Sequence, residues 1–168
     1  HSIENFQGIV VAVRRYSERL RGSLKLQSSV AKLMRCAEFS VKNKMAVAVI
    51  ERLRDYDKLS NISLKIRSDR GECNLIEGKD IITLIHSERF ESLIKRELGS
   101  KIQRYIAGLA QIHIQFDDTY ETTPGVVCYI YSLLAHHGIN IREEMSCGTD
   151  QLIIVSQEDA ASAMQILS

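Results

Sequence analysis

The sequence predicts an α+β protein of two βαββαβ units with antiparallel sheets, preceded by an N-terminal helix. Three observations predict it. Strand-like alternation and helix-like apolar stripes recur in the same order twice along the 168 residues. The second run stops one strand short, and a spare strand precedes the first run. Hydrophobic residues make up 45% of the chain, enough for a buried core. The expected organisation is a helical segment over 1–35, a first unit over 36–108 and a second over 109–168.

Phe6, Ile9, Val10, Val13 and Leu20 fall close to helical spacing, with Arg14, Arg15, Glu18 and Arg19 largely on the other side, and Gly22-Ser23 ends this helix. Its expected role is packing or dimerisation. Phe39, Val41, Met45, Val47 and Val49 alternate on either side of Lys42-Asn43-Lys44, as one bent strand or two strands joined by a turn. Cys36–Val41 is the spare strand. From 57 to 67 two readings compete, because Ile62, Leu64 and Ile66 alternate while Leu59, Ile62 and Ile66 also fit a helix. The repeat favours the helix.

Asp69-Arg70-Gly71 is a break, and Glu72–Glu77 and Ile81–His86 are strands turning at Gly78-Lys79-Asp80. Ser87 is the expected cap of a helix striped by Phe90, Leu93, Ile94 and Leu98, with Gly99 as a left-handed C-terminal cap. Ile102–Ile106 is a short strand, broken from the next by Gly108.

In the last third, Ile112, Ile114 and Phe116 share one strand face. Thr123 is the expected N-cap, with Pro124 at the first helical position, where its missing N–H costs nothing. Val127, Ile130, Tyr131 and Leu134 form the expected buried stripe, and Gly138 ends the helix. Ile139, Ile141 and Met145 alternate along a strand, and Leu152–Val155 is its partner. Ser156 and Asp159 resemble a capping box for a helix turning Ala160, Ala163, Met164 and Leu167 inward.

Composition excludes several classes. With 22 basic and 21 acidic residues the net charge is +1, so no global field draws the chain to nucleic acid or an anionic membrane. No apolar run is long enough to span a bilayer and no signal-peptide pattern is present, so a cytoplasmic location is expected. Cys36, Cys73, Cys128 and Cys147 lack paired spacing, which points to neither zinc nor disulfides. No serine elbow, phosphate-binding loop, dinucleotide glycine motif or zinc-protease motif occurs, so no enzymatic activity and no cofactor are expected. His136-His137 lies at a helix end, where the dipole favours a capping role over metal binding. The run Asp117-Asp118-Thr119-Tyr120-Glu121 is read as a solvated loop rather than a metal site. The chain begins at His1-Ser2 without methionine, consistent with an upstream part lying outside this sequence.

Thr123-Pro124-Gly125-Val126 at a helix start, followed by Gly138-Ile139-Asn140-Ile141 after it, resembles the ACT domain, a ferredoxin-like sensor module. The match covers the last third; the first unit shares only the order of elements. Together they resemble the paired regulatory region of aspartate kinases or a free-standing archaeal-type ACT-repeat protein. The resemblance implies an amino acid or related small metabolite held between two units by the first strand-to-helix loop and the start of the second strand. It places that ligand on Thr123, Pro124, Gly125, Val126, Asn140 and Ile141, and the expected helix N-terminus adds the flanking Thr122 and Val127.

The residues agree with that chemistry. A helix N-terminus near Gly125 offers N–H groups to a carboxylate, Asp117, Asp118 and Glu121 offer charge to an ammonium, and Asn140 both donates and accepts. The expected function is ligand-dependent regulation, passed to a partner or an upstream domain from a homodimer built through a sheet edge or the first helix. Two alternatives are an oligomerisation module without ligand and the sensor part of a transcription regulator. No membrane and no direct nucleic-acid contact are expected.

Overall fold

The computed structural model describes residues 28–52 and 56–168, together with Arg15. The helix expected over Phe6–Leu20 therefore lies, but for Arg15, outside the described residues. The described elements run α1 (residues 28–36), β1 (Glu38–Glu51), α2 (Asp57–Ser68), β2 (Cys73–Glu77), β3 (Ile81–Ser87), α3 (Glu91–Leu98), β4 (Ile102–Gln115), α4 (Val126–His136), β5 (Glu143–Cys147), β6 (Asp150–Ser156) and α5 (Ala160–Leu167). All pairings are antiparallel, in the order β2-β3-β1-β4-β6-β5.

The two long strands explain how two units become one sheet. The second half of β1 pairs with β3 and with the first half of β4, closing the first unit; the first half of β1 pairs as Glu38↔Gln115 through Lys42↔Gln111, supplying the fourth strand of the second. The spare strand thus completes the second sheet, as expected. Each unit is a βαββαβ module, and the two share β1 and β4.

The 57–67 ambiguity resolves as a helix on its periodicity. Leu59, Ile62 and Ile66 are buried while Leu64 is 63% exposed, so one face of a 3.6-residue period is inside and the face a strand would share is not. Three local expectations are corrected. Gly99 has φ −46° and opens a 3-10 turn instead of capping α3 in the left-handed region. Gly108 does not break the strand: β4 runs through it, with Gly108 at φ +69° where the register slips. β5 begins at Glu143, so Ile139 and Ile141 precede it.

All five described helices pack on one sheet face. Val30 and Leu33 of α1, Ile130 and Leu134 of α4, and Ala163 and Leu167 of α5 cover Ile112, Ile114, Ile153 and Val155. Leu59, Ile62 and Ile66 of α2 and Ile94 and Leu98 of α3 cover Ala48, Ile50, Ile82 and Leu84.

The opposite face holds a third core. Met45, Val47, Val49 and Ile85 of the first unit join Leu109 and Ile154 of the second, with Ile76, Ile106 and Met145 at its margin. A flat sheet would separate neighbouring strands by about 4.8 Å, putting β2 and β4 roughly 14 Å apart. Yet Asn74 Nδ2 on β2 donates to Gln111 Oε1 on β4 at 3.4 Å. The sheet therefore folds over on its helix-free face, and the two units press face to face. The irregular registers at Lys42/Met45 and Met45/Val47 permit the bend, with Lys44 at φ +57° and Gly108 between them.

Candidate functional site

The loop between β4 and α4 is organised by its own side chains. Asp117 Oδ1 accepts the Thr119 amide at 2.8 Å and also the Thr119 hydroxyl, and these bonds hold the Asp117 carboxyl below the usual carboxylate range. That carboxylate is already engaged with the loop itself. Residues 120–122 form a 3-10 turn, and the Thr123 hydroxyl donates back to the Thr119 carbonyl at 2.7 Å.

Thr123 consequently does not cap the helix, and Pro124 is not its first residue. The N-cap is Gly125, at φ +88°, a backbone conformation that only glycine adopts cheaply, and α4 starts at Val126. Among the described residues no side chain caps this end. The first bond from the cap is Tyr129 N–H to the Gly125 carbonyl at 2.9 Å, leaving the earlier amides of Val126, Val127 and Cys128 without intrahelical acceptors. They face the requirement of a carboxylate: converging N–H donors at the positive end of a helix.

An open groove of about 440 Å³ lies here, lined by Tyr120, Glu121, Thr123, Gly125, Val127 and Cys128 among others. Val126 also lines it although only 2% exposed and part of the core, and Asp118, Thr122 and Pro124 are exposed on the same loop. The expected apolar stripe shifts with the helix start: Val126, Ile130 and Leu134 are buried, while Val127 is exposed and Tyr131 is half-buried.

Sequence reasoning missed the polar floor under this loop. Tyr120 stacks on Phe116 with ring centres 4.5 Å apart, and its hydroxyl donates to Gln151 Oε1 at 2.7 Å. Gln151, 1% exposed, donates in turn to Glu144 Oε2 at 2.9 Å. Tyr131 shares Glu144, and burial first, then this carboxylate, raise its phenol above the ordinary range. The only signal for Gln151 in the sequence was a polar residue at an inward strand position.

Asn140 and Ile141 lie elsewhere. They follow the C-terminus of α4, whereas Gly125 precedes its N-terminus, and 11 helical residues separate the two ends by about 16 Å. Within one copy the loop and Asn140 do not converge.

Among the described residues no group of three or more His, Cys, Asp or Glu is arranged to hold a metal ion, and no described helix is long and apolar enough to cross a membrane. Glu144, His113 and Asp150 do form local pairs: His113 Nε2 lies 2.7 Å from Asp150 Oδ1 on the neighbouring strand.

A βαββαβ unit with helices on one face, repeated and interlocked through shared strands, defines the ACT-type α+β fold, as the sequence led us to expect. The fold is similar to that of aspartate kinase regulatory regions. The chain matches the Clostridium acetobutylicum aspartate kinase with a TM-score of 0.63 at 14% identity over 77% of this chain and 33% of that one, so it spans a third of that enzyme's length. It matches the ligand-free regulatory subunit of aspartate kinase from Thermus thermophilus with a TM-score of 0.58 at 14% identity, covering 77% of this chain and 92% of the subunit. The Escherichia coli aspartokinase III complexed with lysine and aspartate gives 0.55 at 14% identity, over 77% of this chain and 31% of that one. No protein-family model and no curated protein sequence matches the chain.

Proposed function

We propose that this chain is a non-enzymatic regulatory protein of the ACT type, that it binds an amino acid or related small metabolite, and that two copies build the site. The observation that carries the reading is the uncapped N-terminus of α4 at Gly125, opening into a groove beside an edge strand. A carboxylate on the amides of Val126, Val127 and Cys128 gains charge-assisted bonds and the helix dipole.

The second half of the site follows from topology. β5 is the last strand of the sheet, and Cys147 at its end pairs with Asp150 and so lies at the Gln115 end of β4, beside the loop. Two β5 edges paired antiparallel, the isologous way of covering unpaired backbone, set the start of the partner's strand against that end. Asn140 and Ile141, which precede β5, then come from the second copy, with Asp118, Thr122 and Thr123 from the first. Ligand binding thereby favours one packing of copies, and a partner or an upstream domain reads that packing. The resemblance to aspartate kinase regulatory regions supports the class of protein; the residues of the loop support the ligand class.

The test is a calorimetric titration of the common amino acids. One of them binds wild type and fails to bind Gly125→Leu, which blocks backbone approach and strains a φ of +88°. If every amino acid that binds wild type binds a folded Gly125→Leu equally well, the site lies elsewhere.

A further inference from the structure

A second groove lies where the two units join, at the ends of the strands remote from the β4–α4 loop. It measures about 720 Å³ and is lined by Lys44, Arg70, Glu88, Arg89, Gly108 and Gln157 among others. Both units build it. Arg70, Glu88 and Arg89 come from the first unit, Gln157 follows β6 of the second, and Lys44 and Gly108 sit at the bend of the shared strands. The Lys44 amide donates to Gln157 Oε1 at 3.1 Å, and the Gly108 amide reaches Glu88 Oε2 at 3.4 Å, so the walls are tied across the junction.

The backbone at this groove is unusual. Among the described residues only Lys44 (φ +57°) and Arg70 (φ +56°) are non-glycine residues in the left-handed region, and both line it. Arg70 occupies the position after α2 where a left-handed cap prefers glycine, with Gly71 N–H bonded to the Ile66 carbonyl at 2.8 Å. Long cations are thus kept at two positions where backbone conformation favours a smaller residue, and strain of this kind gathers at binding sites.

Charge then limits the ligand. Glu91 in the wall is paired with Lys95; among the described residues the side chains of Lys44 and Arg70 have no ion pair, and Arg89 bonds only the Asp69 carbonyl and overlies Phe90. Three cations thus line the groove with two carboxylates, of which Glu91 is paired with Lys95 and Glu88 has no ion pair among the described residues. A ligand complementary to this set carries two anionic groups and one cationic group at short range.

We propose that this junction groove binds an acidic amino acid, its two carboxylates on Arg70, Arg89 and Lys44 and its ammonium on Glu88. Occupancy ties the first unit to the second at the bend, so this site sets the angle between units. It is separate from the groove at Gly125 and stands without it.

The probes are L-glutamate and glutarate, which lacks the ammonium, titrated by calorimetry into the whole chain. Glutamate is expected to bind wild type and Gly125→Leu alike, and glutarate about tenfold more weakly, the worth of one charge-assisted bond. Arg70→Gly is expected to lose glutamate at least about tenfold while melting no lower than wild type, because glycine relieves the left-handed backbone. Glu88→Gln is expected to erase the preference for glutamate over glutarate. Failure of wild type to bind glutamate, equal affinity of the two probes for wild type, unchanged binding in Arg70→Gly, or loss in a folded Gly125→Leu overturns the assignment; the last outcome moves glutamate to the loop groove and leaves the reading of that groove intact.

Discussion

Asn74 Nδ2 and Gln111 Oε1 meet at 3.4 Å although their strands are separated by two others in the sheet. This bond spans the helix-free faces of the two units, beside the core of Met45, Val47, Ile85 and Ile154. Gln111 is 2% exposed, so its amide has little access to water and depends on such partners.

A double-mutant cycle of Asn74→Ala and Gln111→Ala, followed by urea unfolding, is therefore expected to return a coupling of about 0.5–1.5 kcal/mol. Additive single mutants would mean that the two side chains do not sense each other and that the face-to-face packing is looser than drawn.

His86 supplies a pH dependence. It is fully buried, its Nδ1 lies 3.0 Å from the Ser87 carbonyl, and its Nε2 and the nearby Tyr105 hydroxyl have no hydrogen-bond partner among the described residues. Burial lowers its pKa, opposed by the Ser87 carbonyl and by Glu91 and Glu88; Lys95 lies over the Tyr105 ring. A depressed folded-state pKa means that stability is complete above the unfolded value of about 6.5 and falls as pH drops from there toward the folded value, by up to about 1.4 kcal/mol per pH unit. His86→Leu is expected to flatten that stretch of the stability–pH curve in chemical denaturation. An unchanged slope would assign the acid sensitivity to other groups.

Two glycines give opposite expectations. A Cβ at Gly71 would stand 2.3 Å from Phe90 Cε2 and 2.9 Å from the Ile66 carbonyl oxygen, whereas one at Gly99 meets nothing within 4 Å. Gly71→Ala is expected to destabilise by roughly 1–3 kcal/mol through overpacking. Gly99→Ala, at a helical φ of −46°, is expected to stabilise by about 0.4–1 kcal/mol by restricting the unfolded chain. Thermal melts of the two variants moving in the same direction would contradict the close approach of α2, Gly71 and Phe90.

Much of this architecture was legible because it is periodic. The spacing of Leu59, Ile62 and Ile66 allows α2 and the repeat selects it over a strand, and the spare strand follows from what the second unit lacks. What was not legible is either non-local or a matter of one residue. Nothing near Asn74 or Gln111 in the chain shows that a sheet will bend until they touch, and that bend depends on irregular pairing around Lys44 and Gly108. The cap moved from Thr123 to Gly125 because the Thr123 hydroxyl found a nearer acceptor in the Thr119 carbonyl. Asn140 was drawn toward the loop by a motif, while the length of α4 keeps the two apart in one copy. Tyr120, Gln151 and Glu144 escaped notice because strand alternation marks Gln151 as inward without naming the residues that satisfy it.

The central claim is that a small amino-acid-like ligand binds at the uncapped N-terminus of α4. A thermal-shift screen of the purified chain against the common amino acids, repeated on Gly125→Leu, tests it most directly. The account predicts that at least one amino acid raises the melting temperature of wild type, with about 2.7 kcal/mol of added stability at 100 times its dissociation constant, and that this shift is abolished in the folded variant. No shift with any amino acid, or a folded variant that retains every shift seen in wild type, would contradict it.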